Sequence, residues 1–185
     1  MAIFAHLQRL FSTRPDEQQA AIIYVQLVEQ ARLPEFYTQL GVPDTLDGRF
    51  EMISLHLFLV LEAMKSHFTE LPHWKPLSGL VIESFFADMD RSLREMGVGD
   101  TGIKRRIKAM ASAFYGRVDA YYTAIESPEQ WHEVLKRNVY ATRDDEPNEA
   151  QLSTLTTYIQ ASHKALKDNI KEKVDGSFNL PFASI

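Results

Sequence analysis

The sequence contains no cysteine. That excludes disulfides, thiolate metal ligands and a cysteine nucleophile, and it fits a reducing compartment. It also lacks a surplus of positive charge. The formal net charge is −5, so a general phosphate-binding face is not expected, and DNA is not an expected partner. No apolar run approaches the roughly 20 residues a membrane-spanning helix needs. The strongest run, Ile53 to Leu61, carries His56 inside it. Met1 to Leu10 has no basic leader region and no small-residue cleavage site, so no secretory signal is expected. A cytoplasmic location follows, with the inner face of the cell membrane as the alternative. No Gly-x-Ser-x-Gly, phosphate-binding loop or dinucleotide fingerprint occurs, so no enzyme class is indicated and no catalytic residue is assigned. None of the six histidines stands four residues from another in one helix. Glu70-x-x-His73 is interrupted by Pro72. Neither a metal nor a cofactor is expected.

What is present is helical periodicity. Hydrophobic residues make up 45% of the chain and charged residues 24%, enough for a globular core and too apolar for global disorder. The expected fold is all-α: a single compact bundle of about six to eight helices with an extended C-terminal tail. Residues 1–14 form an amphipathic, mobile N-terminal segment in this reading. Residues 15–175 are the helical domain, and 176–185 the tail. No strand pair with a hairpin dipeptide is visible.

Residues 1–12 place Ile3, Phe4, Leu7, Leu10 and Phe11 on one side, which makes them candidates for membrane contact or for packing on the body. Pro15 opens a helix to about Arg32. Asp44, Thr45 or Asp47 caps the next, which runs to about Ser66, is apolar on most sides and is expected to be central. Pro72 to Pro76 reads as a linker before a helix over 77–96. There Gly97 and Val98 fit a Schellman ending. A helix over 101–126 carries the stripe Ile103, Ile107, Met110, Phe114, Val118, Tyr121 and Ile125. Ser127, Pro128 and Gln130 suggest a capping box opening a helix to about Tyr140. Asn148 and Gln151 suggest another, opening the last helix to about Val174.

The charges are most informative between Phe85 and Lys108. Asp90 and Arg94, and Arg91 and Glu95, stand at i, i+4, and Asp88 and Arg91 at i, i+3, the spacing of helix-supporting pairs. Asp88 and Asp90 do not share a face, so they are no acid–base dyad. Lys104, Arg105, Arg106 and Lys108 fall in the first turns of their helix, where cations oppose its dipole. They can pair with Asp88, Asp90 or Glu95 of the preceding helix, stand solvated, or meet an anionic partner such as RNA, a ribosome or a lipid surface. His56, among apolar neighbours, reads as a hydrogen-bonded residue at the edge of the core. It is also the one candidate axial ligand for a haem-handling protein.

Three blocks carry a resemblance. The first is Phe36-Tyr37, then Leu40 through Glu51 with its Gly41-Val42-Pro43-Asp44 start, then Leu55-His56. The second runs unbroken from Phe86 to Asp100. The third is Lys108-Ala109-Met110, Phe114-Tyr115-Gly116-Arg117 and Arg137-Asn138-Val139-Tyr140. Together they cover about 35 to 140, and on them the chain closely resembles the ubiquinol–cytochrome c chaperone family. The resemblance implies a helical, non-enzymatic protein that binds newly made cytochrome b, or its nascent chain, and supports assembly of ubiquinol–cytochrome c reductase. Mitochondrial relatives work with a small helical partner and associate with the ribosome. The absence of a long N-terminal targeting extension makes a bacterial member the expectation. Positions matching the family blocks become client-binding or structural candidates: Arg49, Glu51, His56, Asp88, Asp90, Arg91, Arg94, Tyr115 and Arg117. The anion or ribosome candidates are Lys104, Arg105, Arg106 and Lys108.

Overall fold

The computed structural model describes residues 15–172 and 178–185. The expected helix over 1–12, with Ile3, Phe4, Leu7, Leu10 and Phe11, lies outside them. The helices are α1 (Pro15–Ala31), α2 (Pro34–Thr38), α3 (Leu46–Ser66), α4 (Trp74–Glu95), α5 (Asp100–Glu126), α6 (Trp131–Arg137) and α7 (Glu149–Asn169). The fold is all-α. Its one departure among the described residues is a two-residue antiparallel pairing of Lys171–Glu172 with Phe178–Asn179.

Helix α3 is the centre. Its apolar residues run round the whole circumference, and fourteen of its residues are buried. Helices α1, α4, α5 and α7 pack around it. Aromatic rings fill the space between them. Phe85 of α4 meets Tyr24, Phe50 and Phe114 at centroid distances of 6.5, 5.8 and 5.4 Å, within the range of favourable ring contact. The C-terminal residues lie extended across this body. Phe178 packs on Trp74, with centroids 5.1 Å apart, and the Ala183 amide donates to Ser162 Oγ at 3.1 Å.

The ends of the helices follow local chemistry, with three differences from expectation. Thr45 caps α3 by accepting from the Gly48 amide at 3.1 Å. Asn148 and Gln151 form the reciprocal capping box of α7. Gly97, at φ +78°, closes α4: its amide donates to Arg94 O at 2.9 Å and that of Val98 to Leu93 O at 3.1 Å, the two bonds of a Schellman motif. The first difference is that α4 begins at Trp74, inside the expected linker. Pro76 is no obstacle there, because amides of the first turn have no intrahelical acceptor. The second is Ser127, which makes no side-chain cap bond. Its amide closes α5 on Thr123 O at 2.9 Å, and its backbone (φ −131°, ψ 82°) departs from the extended form of an N-cap. Pro128–Gln130 is therefore a 3₁₀ turn, and α6 ends at Arg137. Third, α7 stops at Asn169, short of Val174. Ile170 turns extended (φ −61°, ψ 126°), and its buried side chain starts the strand pairing.

Candidate functional site

The segment singled out in sequence forms the junction of α4 and α5. All three charge pairs expected within α4 are present: Arg91 with Asp88, Arg91 with Glu95 at 3.9 Å, and Arg94 with Asp90 at 2.6 Å. Two partners were not legible. Arg94 also donates to Asp100 across the glycine turn at 2.7 Å, so one guanidinium straps the two helices together. Asp88, buried on the inner side, accepts from the Tyr24 hydroxyl at 2.9 Å. Burial first, and then the charge and bond of Asp88, raise the Tyr24 pKa well above that of a free phenol, so the hydroxyl stays a donor.

Of the alternatives open for the basic cluster, pairing with the acids of the preceding helix is not the one found among the described residues. Asp88, Asp90, Glu95 and Asp100 are engaged by Arg91 and Arg94. Lys104, Arg105, Arg106 and Lys108 are exposed, and none forms an ion pair with another described residue. Lys104 stands in the second turn of α5 and Lys108 in the third, beyond the first turn where the helix dipole acts most; that first turn carries the acid Asp100.

Between the two helices lies an open groove of about 670 Å³. Phe86 of α4 and Ile103, Ile107 and Ala111 of α5 line it with apolar surface. Asp90 and Arg94 line it from α4, and Asp100, Lys104 and Lys108, each one turn after the last, line it from α5. The α5 stripe explains the opening. Ile103, Phe114 and Tyr121 are buried, but Ile107, Met110, Val118 and Ile125 are only partly covered. Periodicity identifies the stripe and does not tell which turns a neighbour covers. Ala111 was missed for that reason, and Asp100 because its partner lies beyond the turn.

The other candidates are dispersed. Arg49 bonds exposed Asp44 at 2.7 Å, which lowers the Asp44 pKa and raises that of Arg49. Glu51 of α3 forms a two-pronged pair with Arg117 of α5, and Arg117 also donates to Ala113 O at 2.9 Å and lies over the Phe50 ring. Burial pushes the Glu51 carboxyl up against the pull of Arg117. Burial also weighs most on Arg117, but the bond and charge of Glu51 outweigh it and raise that guanidinium overall. Tyr115 stands 54% exposed, about two turns beyond Lys108 on the same face of α5. His56 lies at the core centre, at 0% exposure, and not at its edge. Its Nδ1 contacts Met52 O and its Nε2 the Tyr158 hydroxyl, both at 2.7 Å. A carbonyl only accepts, so Nδ1 carries the proton and Nε2 accepts from Tyr158. Both nitrogens are engaged, and no ring nitrogen is left for an axial bond in this arrangement. No group of His, Asp or Glu among the described residues could hold a metal ion.

A family model for ubiquinol–cytochrome C chaperones matches residues 38–174. The chain belongs to the ubiquinol–cytochrome c chaperone family. Over 139 residues, 75% of its length, it is 26% identical to ubiquinol-cytochrome-c reductase complex assembly factor 1 of Xenopus laevis, covering 67% of that protein. The mouse and human counterparts are 25% and 24% identical over the same length, but the chain spans only 45% of each. The crystal structure of the Cbp3 homolog from Brucella abortus superposes with a TM-score of 0.74 at 34% identity, covering 96% of both chains. For this family member, the α4–α5 groove and the cations beside it lie wholly within the matched span. No described helix is long and apolar enough to cross a membrane.

Proposed function

We propose that this protein is a non-enzymatic assembly chaperone for ubiquinol–cytochrome c reductase, and that it binds newly made cytochrome b. Family membership gives the class. The observation that supports a binding role for this chain is the α4–α5 groove, an apolar seam bordered by charge that no described residue covers. A holding protein needs such a seam and a rigid frame beneath it. Here the frame is α3, clamped to α5 by Glu51–Arg117 and to α7 by His56–Tyr158. Deleting the gene in its host and measuring cytochrome b and reductase activity tests the reading. Both should fall, and normal levels of both would contradict it.

A second reading is favoured by one observation. Arg105 and Arg106 are exposed, unpaired with described acids, and outside the groove. They can serve as a ribosome contact while the groove takes a protein segment. Reversing both should abolish salt-sensitive ribosome co-sedimentation, and unchanged sedimentation would remove it.

A further inference from the structure

We propose that the groove between α4 and α5 docks an amphipathic helix of a partner protein, one whose apolar stripe is flanked by a row of acidic side chains. The inference deepens the chaperone reading, and rests on it for the purpose of the contact, by giving the chemistry of the segment bound.

Three features of the groove carry it. The first is shape. Ile103 is buried and Phe86 and Ile107 are half-buried, so the apolar floor is sunk between two helices. A flat membrane surface would rest on the cations without reaching it, whereas the convex face of a helix can enter. The floor from Ile103 to Ala111 is about two helical turns long. The second is charge. Among the lining residues three cations (Arg94, Lys104, Lys108) face two acids (Asp90, Asp100), and both acids are already bonded to Arg94. On the α5 edge Lys104 and Lys108 are left as positive charges with no ion-pair partner among the described residues. The third is spacing. Lys104 and Lys108 are one turn apart on the same helix, so they present two charges that acids at i and i+4 of an opposing helix can meet.

The same features argue against a wholly apolar membrane span as the occupant. A span would strip water from Lys104 and Lys108 and offer nothing in exchange, and an unpaired desolvated charge is strongly unfavourable. An acid-edged helix gives both lysines a partner at the rim, where water still reaches, and its apolar stripe covers Phe86 and Ile107.

The test uses the full chain and two fluorescent model peptides of about 14 residues, roughly four turns. Both carry the same leucine stripe; one has a glutamate edge and the other a lysine edge. Anisotropy titrations should show the glutamate peptide binding at least about tenfold more tightly at low salt, since like charges across an interface are strongly disfavoured. The preference should shrink as salt is raised. Lys104→Glu with Lys108→Glu should reverse it, weakening the glutamate peptide and strengthening the lysine peptide. Ala111→Arg, which fills the floor, should weaken both. The altered side chains line an open groove, and circular dichroism checks the fold. Equal affinity for the two peptides, or a preference untouched by the double reversal, overturns the proposal. So does binding to phosphatidylglycerol vesicles that the double reversal abolishes while neither peptide binds; that result assigns the rim to a lipid surface. Failure here with loss of cytochrome b on deletion leaves the chaperone role standing and removes only this site. Peptide binding with normal cytochrome b does the reverse.

Discussion

Acidification should destabilise this protein, with His56 the largest single contributor. The unfolded imidazole titrates near 6.5, and burial pushes the folded one down to about 4. The structure gives the cause. At neutral pH Nδ1 donates to Met52 O and Nε2 accepts from Tyr158. The Tyr158 oxygen also accepts from Gln30 at 3.1 Å, and Phe36 and Phe182 stand edge-on to the imidazole, with centroids 5.4 and 5.3 Å away. A second ring proton would turn the Nε2 acceptor into a donor aimed at a hydroxyl that is itself donating, and would place a charge among aromatic rings. Above pH 6.5 the ring is neutral in both states, and the network contributes in full. Below it the unfolded chain takes up a proton that the folded chain refuses. Stability then falls by about 1.4 kcal/mol per pH unit until the folded ring titrates. Over the window from 6.5 down to about 4 the loss is about 3 kcal/mol, a large part of the roughly 5–15 kcal/mol that holds a domain together. His163, also lowered chiefly by burial, acts in the same direction, so the test is a difference. Urea unfolding at pH 7, 6, 5 and 4.5 should show wild type losing about 2.5 kcal/mol more than His56→Gln, whose amide supplies a donor and an acceptor without titrating. Parallel curves for the two proteins would refute the reasoning, whatever their offset.

Arg117→Ala should cost about 3 kcal/mol or more in urea unfolding, because it strands the Glu51 carboxylate against α5. A double-mutant cycle with Glu51→Gln should recover a substantial coupling, and additive losses would show that the pair is not a clamp. Gly97→Ala should cost about 1 kcal/mol by thermal or urea unfolding, from its left-handed backbone alone, since a methyl group there meets nothing within 4 Å. Gly48→Ala should cost more, although Gly48 sits in a helix, because its methyl would overlap the Pro43 carbonyl oxygen. Equal losses at the two glycines would remove the steric argument.

The fold was legible where a local rule decides it. The Schellman bonds at Gly97 and Val98, the Thr45 cap and the Asn148–Gln151 box each depend on residues within a few positions of one another, and each is present. The same holds for Asp90–Arg94 and Arg91–Glu95. What spacing does not report is distance along the chain. Tyr24 and Asp88, or Glu51 and Arg117, become partners only when α1 lies on α4 and α3 on α5. The depth of His56 escaped for a related reason. Helix α3 is apolar all round, so no face of it reads as outward, and a polar residue within it looks marginal until α7 and the tail close over it. Ser127 carries the letters of a capping box but already ends one helix, and its backbone serves that role first.

The junction of α4 and α5 shows how a structural rule can produce a binding surface. Arg94 could have been left to one acid of its own helix, with Asp100 free to offset Lys104 at the start of α5. Instead it takes both carboxylates, at 2.6 and 2.7 Å, and so bridges the glycine turn. The apolar seam of Phe86 and Ile107 runs beside this bridge. The nearest acids are also consumed: Asp100, the acid of the first turn of α5, is spent on Arg94, and Lys104 and Lys108 have no ion-pair partner among the described residues. An acid-edged ligand would meet two exposed charges that the acids of this junction do not neutralise, and the strap keeps those acids from turning to them.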